Sequence, residues 1–115
     1  MTQPIHSFSL ACLLLLISAC TTMNRPISVT EFNSNCTMNV DMGSGADFCG
    51  GDLMRICKDF QDMLSETFPS RAVCMQKSRA LYQQQYQAHV VDGCRAAVEQ
   101  AFTLCGQFCA RNYPQ

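Results

Sequence analysis

Seven cysteines, Cys36, Cys49, Cys57, Cys74, Cys94, Cys105 and Cys109, are crowded behind residue 35 of a 115-residue chain. A domain this small buries too little apolar surface to offset its chain entropy by packing alone. In an oxidising compartment the usual remedy is a set of disulfides. Zinc is the competing use of so many thiols, but it needs paired Cys-x₂₋₄-Cys knuckles, commonly with histidine. Only Cys105-x₃-Cys109 comes close, and His89 is the one histidine in this part of the chain. The spacing therefore predicts a disulfide framework, with no metal and no cofactor.

The compartment follows from the other end of the chain. Residues 8–19 are apolar and uncharged. As a helix they would span about 18 Å, short of the roughly 30 Å hydrocarbon core of a membrane but the right size for the apolar part of a signal peptide. The run closes on Ile17-Ser18-Ala19-Cys20. An aliphatic residue, two small residues and a cysteine resemble the lipobox of bacterial lipoproteins. That resemblance implies cleavage before Cys20 and acyl chains on its sulfur and nitrogen, hence membrane attachment through lipid on Cys20. Residue 21 is Thr and not Asp, which by the same resemblance implies the outer membrane, facing the periplasm, over the inner membrane. Two acyl chains suffice for stable anchoring.

Two features favour a secreted protein cleaved without lipidation. The first 19 residues contain no Lys or Arg. In addition, seven is odd: with Cys20 lipidated at most three bridges form, whereas eight cysteines would pair evenly.

Charge excludes some partners. Eight basic and nine acidic side chains give a net charge of −1, and they alternate in sign without a block. Neither nucleic acid nor a polybasic membrane contact is expected.

The organisation expected is a signal over 1–19, a flexible tether and loop over 20–48, and a cysteine-rich helical domain over 49–115. Residues 29–40 read at most as a short extended piece, and Gly43-Ser44-Gly45 as a loop. From Gly51 the period turns helical. Leu53, Ile56, Cys57, Phe60, Met63 and Leu64 recur at three and four residues, with Asp52 as N-cap. Pro69 biases Phe68 away from helical backbone and ends this helix near Thr67. Ser70 caps a second helix reaching about His89, whose middle, residues 82–87, is polar enough to face water over much of its length. After the Asp92-Gly93 turn, a third helix over 94–111 places Cys94, Ala97, Val98, Ala101, Cys105, Phe108 and Cys109 on one stripe. The fold class is all-α: a small disulfide-stapled three-helix bundle.

An up-down-up bundle puts Cys49 and Cys94 at one end and Cys74 and Cys109 at the other, with Cys57 part-way along near Cys105. The pairing expected is Cys49–Cys94, Cys57–Cys105 and Cys74–Cys109, with Cys36 unpaired; a Cys36–Cys49 loop is the main rival. Cys105 and Cys109 lie one turn apart on a helix, where parallel side chains disfavour a bridge.

No residues assemble into catalytic machinery. A His89–Cys94 nucleophile pair needs a reduced thiol, and a surface histidine is the simpler reading. Cys105-Gly106-Gln107-Phe108-Cys109 is not a redox Cys-x-x-Cys. Asp52, Asp59, Asp62 and Glu66 share the outer face of the first helix, as a solvated surface does. Met54 and Met63 sit on or beside the core stripe. The function expected is non-enzymatic: a cell-envelope lipoprotein with a structural or assembly role, or one binding another envelope protein. The alternative is a secreted cysteine-rich effector, toxin or inhibitor.

Overall fold

The computed structural model describes residues 25–38 and 49–115. Cys20, the signal and the Gly43–Gly45 loop lie outside the described residues. Four helices are present among those described: α1 (Val29–Met38), α2 (Gly51–Leu64), α3 (Arg71–Ala88) and α4 (Arg95–Asn112). No helix among them is long and apolar enough to cross a membrane.

Helix α1 corrects the three-helix expectation: residues 29–38, expected in a tether or a short extended piece, form a helix. The local code is in Ser28-Val29-Thr30-Glu31. Ser28 Oγ accepts the Glu31 N–H at 3.0 Å, and the Ser28 carbonyl accepts from Phe32 N at 2.9 Å. Ser28 is thus the N-cap, with Glu31 at the third helical position as in a capping box. Ile27 and Phe32, just before the cap and one turn inside, are both buried, as in a hydrophobic staple. A ten-residue helix is marginal alone, so α1 depends on burying Phe32 and Cys36 against its neighbours.

Helix α2 turns Ile56, Cys57, Phe60 and Leu64 inward. Its N-cap is Gly50, at a φ of 54° that disfavours a side chain, and Asp52 lies inside the first turn instead of capping it. The helix ends at Leu64, earlier than Thr67, with Ser65 as its C-cap: the Ser65 N–H and hydroxyl both donate to the Gln61 carbonyl, and the Glu66 N–H tightens to the Met63 carbonyl. Beyond it, Phe68 is buried against Tyr113, edge to face with ring centroids 5.6 Å apart, and its N–H donates to the Tyr113 hydroxyl. Ser70 caps α3 by accepting the Val73 N–H. In the polar middle of α3, Gln83, Gln84 and Gln87 are exposed while Gln85 is buried.

Helix α4 is the centre of the domain and packs against each of the other three. The whole stripe read from its sequence, from Cys94 to Cys109, is buried. Asn112 closes the C-terminal end by donating to the carbonyls of Ile27 and Phe108.

Three disulfides tie the helices: Cys36–Cys57, Cys49–Cys94 and Cys74–Cys109. The last two join the residues that the bundle geometry brings to opposite ends. The expected Cys57–Cys105 bond is not formed. Helix α1 brings the Cys36 Cα within 5.8 Å of Cys57, which replaces both the unpaired Cys36 and the rival Cys36–Cys49 loop. Helix α4 is therefore stapled to its neighbours through Cys94 and Cys109 and not through Cys105, which is a buried thiol. Burial pushes that thiol up to about 12, so it stays protonated and unreactive. In the chain-entropy account each bridge contributes about 3–4 kcal/mol.

Two outcomes are expected. Ser28→Ala lowers stability by about 1 kcal/mol and Phe32→Ala by about 3–5 kcal/mol in denaturant melts; a tether would leave both without effect. Non-reducing peptide mapping recovers a Cys36–Cys57 cross-link, and iodoacetamide at pH 8 leaves Cys105 unmodified until denaturant is added. Rapid alkylation of the folded protein, or a Cys57–Cys105 peptide, contradicts the structure.

Candidate functional site

Two of the three buried polar residues among those described, Gln85 and His89, lie where α3 gives way to α4, close to the start of α2. His89, expected on the surface, is 4% exposed. It is the C-cap residue of α3, one turn beyond the buried Gln85, so both face inward. The α3–α4 connection then folds Asp92 back over the ring.

A chain of hydrogen bonds runs through these residues. Gln85 Nε2 donates to Asp59 Oδ2 at 2.7 Å. Only an amide nitrogen can donate to that carboxylate, so the Gln85 carbonyl oxygen must face His89, where it meets Nε2 at 3.2 Å. His89 Nε2 therefore carries a proton. Nδ1 contacts Asp92 Oδ2, and Asp92 Oδ1 accepts the Cys94 N–H at 3.0 Å. The hydrogen bond from His89, and after it the Cys94 N–H, hold the Asp92 carboxyl below its ordinary range. Every buried side-chain nitrogen and oxygen among the described residues has a partner.

Asp52 approaches from α2. Its Oδ1 pairs with Arg55 at 2.6 Å. One ligand atom each from Asp52, His89, Asp92 and Cys94 lies within 4.8 Å of the others. Cys94 is committed to Cys49, so a His89–Cys94 nucleophile pair has no thiol. Three groups capable of holding a metal remain: one imidazole and two carboxylates.

This gathering corrects the reading of the four acidic residues as one solvated face. Asp62 pairs with Lys58 and Glu66 with Lys77 on the surface, but Asp59 bonds Gln85 and Asp52 lies within 4.8 Å of the histidine cluster. The sequence carried a signal: Asp52, Ile56 and Asp59 are spaced at four and three residues, which turns Asp52 and Asp59 towards the core side. Met54, placed on or beside the core stripe, is instead 69% exposed.

Next to this cluster, Arg95 lies 4.2 Å from the centroid of the Tyr86 ring and donates to the Tyr86 carbonyl. Tyr82 stacks on Phe102 at 4.6 Å. These contacts seal the α3–α4 seam on its outer side.

Comparison of the chain with family models, with characterised proteins and with solved structures finds no match. The three disulfides themselves mark an extracytoplasmic protein.

The Asp92 carboxylate sets an expected pH response. Its pKa is depressed in the folded state, so the stability it contributes is present above the ordinary carboxylate pKa and is lost as pH falls through the folded value. With a chelator present, the melting temperature of the wild type should fall across this acid range, and Asp92→Asn should flatten that part of the profile. Equal profiles would show that the His89–Asp92 contact does not couple to folding.

Proposed function

We propose that the chain is a lipid-anchored, non-enzymatic protein of the bacterial cell envelope, held in the membrane through Cys20 and acting by binding another envelope protein or as a structural or assembly component. The observation that carries this reading is the cysteine accounting. Cys36, Cys49, Cys57, Cys74, Cys94 and Cys109 are bridged, and Cys105 is closed inside the core beside Ser78. The framework is complete without Cys20. The even count that favoured a secreted, non-lipidated protein needed Cys105 as a partner, and a fully buried thiol on the central helix is a poor one.

The direction in which the chain enters the domain adds to this. Ile27 is hydrogen-bonded to Asn112, at the C-terminal end of α4. The α3–α4 connection lies at the other end of that helix, about 27 Å away, and there Val91 is 93% and Val90 49% exposed. An anchor at Cys20 holds the domain by one end and leaves this apolar tip at the other.

Cys20→Ala tests the anchor. The wild type should fractionate with membranes and carry a lipid mass of several hundred daltons at its N-terminus. The variant should lose both and keep the same melting temperature, since the framework does not use Cys20. A wild type of unmodified mass in the soluble fraction would favour the secreted effector or inhibitor.

A further inference from the structure

We propose that Asp52, His89 and Asp92 form a binding site for one divalent cation of the zinc type, a site independent of the anchor and of any partner. The argument begins with the histidine. Because the Gln85 amide is fixed by its donation to Asp59 at 2.7 Å, its carbonyl oxygen takes the proton on Nε2. That leaves Nδ1 facing Asp92, with a carboxylate oxygen of Asp52 in the same group of ligand atoms, all within 4.8 Å of one another. As imidazolium, Nδ1 donates to Asp92; as neutral imidazole, it presents a lone pair to a space bounded by two carboxylates. A lone pair and two carboxylates around one point are what a borderline divalent cation coordinates.

The surroundings have the features of a supporting shell. Metal-bound histidines commonly donate their other ring N–H to a carbonyl or carboxylate, which fixes the tautomer and the ring plane. Here Gln85 fills that role and Asp59 orients Gln85. Arg55 steadies Asp52 through Oδ1, and the Cys94 N–H steadies Asp92 through Oδ1. The histidine side chain is 5% exposed, while the side chain of Asp92 is 34% and that of Asp52 39% exposed. The imidazole is thus a rigid, buried ligand, and the two carboxylates are at the surface, where the 4.8 Å spread of the ligand atoms need close only to the roughly 3.3 Å ligand-to-ligand spacing of a tetrahedral ion with bonds near 2 Å. Cys94 Sγ is the fourth atom in reach, but the disulfide withholds it, so water completes the coordination.

Such an ion would join the start of α2 to the α3–α4 connection, beside the Cys49–Cys94 bridge. Calcium fits less well, since it takes six to eight oxygen ligands and the site offers a nitrogen and few oxygens.

The test uses the disulfide-intact protein freed of metal with a chelator. Titration with Zn²⁺ should give one saturable site with Kd below about 10 µM, and Co²⁺ in its place should develop visible d–d absorption. His89→Asn and Asp52→Asn should each weaken Zn²⁺ binding by about tenfold or more, while Asp62→Asn, on the solvated face of α2, should leave it unchanged. Because His89→Asn could disturb the fold, the ring nitrogens of His89 in the wild type are followed by NMR as well: Zn²⁺ should shift Nδ1 far more than Nε2. Absence of a saturable site, binding indifferent to Asp52→Asn, or an unshifted Nδ1 would each overturn the proposal.

Discussion

Helix α4 is the element on which the rest of the domain depends, and it is held at both ends by covalent bonds. Cys94, at its N-cap, is tied to Cys49 at the entrance of α2, and Cys109, in its last turn, is tied to Cys74 in the first turn of α3. Between them, Ala97, Val98, Ala101 and Cys105 give a narrow stripe of small side chains, with Phe108 the one large side chain on it, so the stripe supplies limited apolar area. Small residues at the centre of a small domain would leave folding near balance. The bridges remove that problem by restricting the unfolded chain, so the core need not be large. The third bridge extends the same solution to α1, too short to hold its helical form without Phe32 and Cys36 against the bundle.

The buried polar chain from Asp59 to Asp92 sits beside one of these staples. A histidine taken out of water needs partners for both ring nitrogens, and Gln85 of α3 and Asp92 of the α3–α4 connection provide them, with Asp59 of α2 orienting Gln85. This is an expensive arrangement for a connection between two helices. An apolar residue at position 89 and a simple turn would do the same topological work. The arrangement instead holds a ring nitrogen on the Asp92 carboxylate with Asp52 close by, which the proposed cation site would account for and helix packing does not.

The proposed anchoring and the fold are consistent in a further way. The chain enters the bundle at Ile27 beside Asn112, so the proposed anchor at Cys20 would hold the domain from the C-terminal end of α4. The only strongly exposed apolar pair in the described loops, Val90 and Val91, lies at the opposite end, beside the aspartate and histidine cluster. An envelope protein that presents its distal tip to a partner would have this polarity.

Much of the fold was legible in the residues. The stripe on α4, the cap at Ser70, the effect of Pro69 and the opposed positions of Cys49–Cys94 and Cys74–Cys109 all follow from local chemistry and helical period, which act over a few residues. Helix α1 was legible too, in Ser28, Glu31 and Phe32, but its Asn- and Ser-rich composition outweighs a cap of two residues unless the buried neighbours are known. What only the tertiary structure decided was partner choice. Cys57 can face either Cys36 or Cys105, and nothing along the chain ranks the two; the docking of α1 does, by bringing one Cα to bonding distance. The burial of His89 was likewise undetermined, because a lone histidine after a polar helix reads as surface until Asp59 and Asp52 arrive from a different helix. Period and capping are properties of consecutive residues and belong to the sequence. Disulfide pairing and the charge cluster are properties of residues far apart in the chain, and only packing brings them together.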